Sequence, residues 1–367
     1  KLYILRVTMK NSISLQNLLF IYEKEISKNI KNKKKLYDFE INKMQYIENI
    51  MYMLNKGYVG HNLYNIFLIY EPKCRLVMSL SVKDKVINHF VTRYILENKL
   101  TKYLDDRNVA TRKGMGTDYA VKLVIKYMNK LKQKYDKFYV LKLDISKYFY
   151  SIDHEVLKNL MIDKLDTYEY DIINKIIDST NKKYINDTIN YLKLKKNVDI
   201  PLYEYNKGLP IGNMTSQFLS IYYLYKLDHY IVNNLHLKYY VRYMDDFIIF
   251  DNDLNHLKKC KDIIIDILEN EYKLKVNKKK TWICNIDSGF SFLGYTCKVI
   301  DNKTIVRIKK SNIDNIKKRV KEVKYLYDNK RIDIYKAFCT IMTYTYSYKF
   351  SDNKKIKKVI NRYWYEK

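Results

Sequence analysis

Proline and glycine are scarce in this chain, with 3 Pro and 8 Gly among 367 residues. No Pro-rich or Gly/Ser-rich linker divides it, and no repeat of fixed period is visible, which argues against tethered modules and solenoids. The five cysteines (Cys74, Cys260, Cys284, Cys297 and Cys339) are scattered, without a C-x-x-C pair or a Cys/His cluster of zinc spacing. A reduced, cytoplasmic protein with free thiols is therefore expected. The six histidines are equally dispersed. No run of about eighteen apolar residues is present, so no membrane span is expected. The N-terminal KLYILRVTMKNSISLQ has polar residues where a signal peptide needs its apolar core. The first residue is Lys, which leaves the true start open, either trimmed or at Met9. Acidic residues are also few: 40 Asp and Glu face 69 Lys and Arg, a net charge of +29. Such a surplus suits a polyanion, because each neutralised phosphate releases counterions. A coding bias toward Lys, Asn, Ile and Tyr accounts for part of the lysine content but not for the shortage of acids. Forty-seven per cent hydrophobic residues suffice for a real core, in one large domain or two to three small ones.

Hydrophobic spacing predicts helix over 12–57, interrupted by the basic run KNIKNKKKLYD, which reads as a solvated face or a phosphate contact. Two strand-like pieces follow, NIFLIY and RLVMSL, then helix over 83–104. FYVLKLDI (138–145) fits a buried strand, and Asp153 is placed to cap the next helix. Residues 213–233 read as helix, 239–251 as a hairpin, and 254–271 as helix. Strands are expected at 281–286, 290–298 and 304–308, and three basic helices over 311–365. The order lacks a regular βαβ rhythm, so the expected class is α+β.

Two of these strands carry bare carboxylates among apolar neighbours. Asp144 lies in VLKLDISKYF, and Asp245 and Asp246 are adjacent in VRYMDDFIIF. A buried charge costs several kcal/mol unless it is paired or binds a metal. An Asp-Asp pair between apolar runs is also what a simple hairpin tip looks like. A divalent cation would relieve the repulsion of three gathered carboxylates. Mg²⁺ takes oxygen ligands, and two such ions can activate a hydroxyl and stabilise a leaving pyrophosphate.

Tyr-Met-Asp-Asp between apolar runs resembles the active-site hairpin of reverse transcriptases, and LDISKYF resembles their first catalytic strand. The resemblance extends in order along most of the chain. Lys73 and Arg75 in YEPKCR match the basic fingers strand that holds an incoming triphosphate. ATRKGMGTDYA (110–120) is similar to a segment of bacterial reverse transcriptases, departing at Thr111 and Met115. GLPIGNMTSQFLSIYY (208–223) is similar to the block that flanks nucleotide and template. KKKTWICNIDSGFSFLGY (278–295) combines a Lys-Thr motif with a Phe-Leu-Gly-Tyr primer grip.

The resemblance implies a right-hand polymerase fold: an N-terminal helical segment (1–57), fingers and an antiparallel palm (58–304), and a small helical thumb (305–367). It also implies RNA-directed DNA synthesis with two Mg²⁺ ions, for which Mn²⁺ can substitute. The metals would be held by Asp144, Asp245, Asp246 and the carbonyl of Ile145. Nucleotide contacts would come from Lys73, Arg75, Phe149, Ile211, Gly212, Gln217 and Lys280. Phe149 stands where the family places the aromatic that rejects a ribose 2′-hydroxyl, although packing is an equal use for it, and Lys280 is a proton-donor candidate. Primer and template contacts would come from Tyr243, Phe292, Leu293, Gly294 and Tyr295. His154 reads as a helix-start residue.

Intron and retroviral enzymes usually carry Q-G-x-x-x-S-P in the fourth block, whereas Ile211-Gly212-Asn213-Met214-Thr215-Ser216-Gln217 departs at both ends. That pattern, with YMDD, resembles diversity-generating retroelements, which copy a template RNA with errors opposite adenine. Phage-defence reverse transcriptases carry related signatures, and a self-mobile intron protein, with a maturase or endonuclease segment after the thumb, is not expected. A template-independent nucleotidyl transferase and a non-catalytic RNA-binding module on the same fold stay open. Expected partners are template RNA, primer or cDNA, dNTPs and a small basic accessory protein.

Overall fold

The computed structural model describes residues 12–59, 63–70, 74–351 and 354–365. They form two compact units. The first comprises Lys1–Thr111, Ile145–His236 and Ile263–Asn277, and the second Arg112–Asp144, Leu237–Asp262 and Lys278–Lys367. Helices and antiparallel strands are mixed throughout, as the α+β expectation required. Among the described residues no helix is long and apolar enough to cross a membrane.

In the first unit, helices Leu15–Ile21, Lys33–Ile41 and Lys43–Asn55 precede the antiparallel hairpin of β1 (Asn65–Ile69) and β2 (Arg75–Ser79). Alternation puts Leu76 and Met78 on the inner face, packed with Ile185, Ile189, Ile200 and Tyr203. Sequence periodicity missed two helices here. Thr167–Ile177 begins in a capping box, Asp166 with Glu169, and buries Ile172, Ile173, Ile176 and Ile177. Lys183–Lys196 ends where Asn197 turns left-handed at φ 46°. Asp153 does cap His154–Asn159, accepting from the Val156 N–H.

The second unit holds a four-stranded antiparallel sheet in the order β4 (Tyr239–Tyr243), β5 (Asp246–Asp251), β3 (Tyr139–Asp144), β6 (Trp282–Asn285). Val140, Leu141, Leu143, Val241, Phe247, Ile248, Ile249 and Phe250 are all buried, which explains their near-continuous apolar runs. The stretch 290–298, expected as one strand, is two: β7 (Phe290–Phe292) and β8 (Tyr295–Ile300), with β9 (Lys303–Ile308) completing a second sheet. Leu293 and Gly294 both have positive φ (45° and 89°), so the chain reverses between Phe292 and Tyr295. The C-terminal helices Lys310–Asp328, Ile334–Ser347 and Lys354–Ile360 share a core of Ile313, Ile316, Val320, Ile341 and Ile356.

Candidate active site

The register of the four-stranded sheet brings the carboxylates together. Asp144, the last residue of β3, is the direct partner of Asp246, the first residue of β5. Tyr243 pairs with Asp246 across a two-residue turn, so Met244 and Asp245 form the hairpin tip. Met244 adopts φ 57°, a conformation that a non-glycine residue holds only under local strain. Beneath the turn, the fully buried Arg242 donates to the Met244 carbonyl at 3.0 Å.

Two lysines supply the facing charge. Lys280 Nζ lies 2.9 Å from both carboxylate oxygens of Asp144, on a side chain that is 52% exposed. Lys142 is enclosed, with 13% of its side chain exposed, and its Nζ is 3.3 Å from Asp246 Oδ1. That contact lacks hydrogen-bond geometry; Oδ1 is buried and accepts no hydrogen bond, while Oδ2 accepts from Lys142 at 3.4 Å. Burial pushes the Asp246 carboxyl up to about 6; Lys142 opposes the rise, while the charges of Asp245 and Asp144 add to it.

As the side chains stand, no three His, Cys, Asp or Glu residues among those described converge closely enough to hold a metal ion. The donors nevertheless fit a hard divalent cation. They are carboxylates, one buried oxygen accepts no hydrogen bond, and each of Asp144 and Asp246 already faces a cation.

Other expected residues fall in the first unit. Lys73 lies outside the described residues, and Arg75 is exposed on β2 opposite Ile69. The Ile211 carbonyl accepts from the Met78 N–H of β2 at 2.8 Å, which fastens the Ile-Gly block to that hairpin. Gly212 is exposed at φ 120°, and a Cβ there would lie 3.2 Å from the Met78 carbonyl oxygen. Gln217 is the exposed residue in the otherwise largely buried helix Met214–Tyr223. Phe149 is half-buried, and its carbonyl accepts from the Leu209 N–H at 2.7 Å, so it joins the same block. Ile145 bridges to Val276. His154 starts its helix fully buried, with Nε2 2.8 Å from the Gly208 carbonyl, a structural placement.

The Phe292–Tyr295 hairpin lies in the second unit. Lys309 N–H and Asn312 Nδ2 both donate to the Gly294 carbonyl, at 3.0 and 3.1 Å, and Tyr295 stacks edge-on against Tyr348 and Phe350. Phe292 and Tyr295 are buried, whereas Leu293 and Gly294 at the tip are partly exposed. Tyr243 Oη is 3.4 Å from Thr117 Oγ1. Lys142 and Arg242 were not anticipated from the sequence. Their signal was a lone cation within an apolar strand: Lys142 at the same alternation as Asp144, and Arg242 on the opposite face, paired with Phe247.

A family model described as reverse transcriptase (RNA-dependent DNA polymerase) matches residues 70–297, more than half of the chain. The chain belongs to the reverse transcriptase family. Every site residue expected from the sequence lies within the matched span of this family member. No curated protein matches it in sequence. Among solved structures, it is similar to apo telomerase from Candida tropicalis truncated from the C-terminal domain. That likeness has a TM-score of 0.48 and 16% identity, over 67% of this chain and 55% of the other. It is also similar to telomerase from Candida albicans in complex with a TWJ fragment of telomeric RNA. There the TM-score is 0.46 and the identity 16%, over 71% and 50% of the two chains. The chain thus spans about half the length of these two structures.

Proposed function

We propose that the chain is an RNA-directed DNA polymerase that works by two-metal-ion nucleotidyl transfer. The observation that carries this reading is the pairing of Asp144 with Asp246 at adjacent strand ends, with Asp245 at the hairpin tip. Asp144, Asp245, Asp246 and the Ile145 carbonyl would hold Mg²⁺, with Mn²⁺ as a substitute. When bound, such ions lower the pKa of an attacking hydroxyl and neutralise a departing pyrophosphate. The protein's own share is positioning and charge. Lys280, half-exposed beside Asp144, would donate a proton to the leaving group. Arg75 and the exposed Gly212 and Gln217 would bind the triphosphate and sugar, and Phe149 would exclude a 2′-hydroxyl. Residues 58–304 would serve as fingers and palm, and the separately cored helices of 305–367 as thumb.

The Ile211–Gln217 block favours the diversity-generating subclass, with a template RNA and a small basic accessory protein as partners. The five free cysteines fit a reducing, cytoplasmic setting. Primer extension on an RNA template with Mg²⁺ tests the activity. Asp245→Asn and Asp246→Asn are each expected to lose at least about 10³-fold in rate while retaining the wild-type far-ultraviolet dichroism, since a ligand to the reacting groups is lost. Robust extension by either variant would refute the assignment. Product made without any template would favour a nucleotidyl transferase instead.

A further inference from the structure

Lys142 stands two residues before Asp144 on β3, so both side chains leave the same face of the sheet. Its direct partner on β5 is Ile248, which makes Asp246 its diagonal neighbour, within reach of a long side chain. The ammonium has its closest contact elsewhere: Nζ donates to the Ser291 carbonyl of β7 at 2.7 Å, against 3.3 and 3.4 Å to the two Asp246 oxygens. Ser291 is the middle residue of β7 and pairs with Thr296, one step from the Phe292–Tyr295 turn. The lysine therefore anchors on the backbone of one sheet and holds the carboxylate of the other by charge. Its longer contacts leave Asp246 Oδ1 without a hydrogen bond, available to another cation. Lys280 differs, because it is half-exposed and spends its contacts on a carboxylate alone.

We propose that Lys142 is a positioning residue that ties the Asp246 carboxylate to the backbone of β7, coupling the aspartate pair to the Phe292–Tyr295 hairpin. The proposal rests on the polymerase reading, in which one element holds the reacting groups and the other the primer end. It assigns Lys142 no contact with substrate. Its effect is to keep the two sheets of this unit in register at the point where their roles meet.

Lys142→Met keeps the length of the side chain and removes the charge and all donors, and Lys142→Arg keeps both. Hydrogen exchange of the metal-free proteins should show the amides of 290–296 opening about tenfold more often in Lys142→Met than in wild type, with the rest of the four-stranded sheet unchanged. In primer extension, kcat should fall by about 10–100-fold, as for other residues that orient a metal's ligands, with Lys142→Arg recovering most of the loss. Wild-type exchange rates at 290–296 in Lys142→Met would overturn the tether, as would a kcat within about threefold of wild type. Should the methionine variant not fold, Lys142→Arg decides: it supports the proposal if it keeps both hairpin protection and kcat, and overturns it if protection is lost while kcat stays. If the wild-type chain extends no primer, the polymerase reading fails, and the exchange measurement still decides the tether because it needs neither metal nor substrate.

Discussion

Asp246 stores free energy that the metal-free protein must supply. Its carboxyl is pushed up to about 6 by burial, with Lys142 opposing. The native state therefore holds this proton more tightly than the unfolded chain does. Between about pH 4 and about pH 6 the native protein binds more protons, so stability falls as pH rises through that window. The cost once ionised is at most about 3 kcal/mol. In EDTA at neutral pH, Asp246→Asn is expected to melt above wild type, and the gap should close below about pH 4. Equal melting curves at both pH values would show that Asp246 is not strained by burial. Phe149 raises a different question at this scale. Its neighbour Tyr148 is the core ring, buried and donating to the Ser220 carbonyl at 2.6 Å, while Phe149 is only half-buried. Truncating Phe149 thus removes little core, and Phe149→Ala should incorporate ATP more readily relative to dATP than wild type does. Unchanged discrimination would return Phe149 to packing and place the gate elsewhere.

At the scale of elements, the Ile211–Gln217 block is fastened to β2 through a backbone bond from Met78. A side-chain change at this position should therefore leave the docking of the loop intact. Isoleucine offers neither donor nor acceptor to a bound nucleotide. A missing polar contact of roughly 0.5–1.5 kcal/mol shifts the balance between matched and mismatched pairs by up to about tenfold. Wild-type cDNA is expected to carry errors concentrated opposite template adenine, and Ile211→Gln should reduce them. Sequencing the products of both proteins on one RNA template checks this. Faithful wild-type copying at adenines would move the reading toward a phage-defence role. The β7–β8 hairpin shows the limit of reading elements from sequence. Phe290 to Lys298 alternates well enough for one strand, and only the positive φ at Leu293 and Gly294 divides it.

Across the whole molecule, 69 basic residues against 40 acidic ones set the expected mode of binding. Many cations are engaged locally, as Lys158 is with Asp178 and Lys273 with Asp153. The remaining surplus is expected to meet phosphates. Affinity for structured RNA should fall by about 10³-fold or more between ~50 and ~200 mM salt, with the slope reporting the phosphates neutralised. A filter-binding series across that range tests it, and a flat response would exclude an extended basic groove.

The sequence by itself determined the α+β class, the strand and hairpin that carry Asp144, Asp245 and Asp246, and the Asp153 cap. Each is written in local patterns: apolar runs interrupted by a charge, alternation of period two, and a capping residue before a helix. The helix Lys183–Lys196 was not readable in this way, because its Asn, Thr and Ile content gives weak local preference and its burial comes from packing on β1 and β2. Only the tertiary structure decided that Asp144 faces Asp246, since strand register depends on distant partners. It also brought forward Lys142, which the sequence did not single out: folding places its enclosed ammonium group beside the Asp246 carboxylate, where a charge must be met by an opposite one.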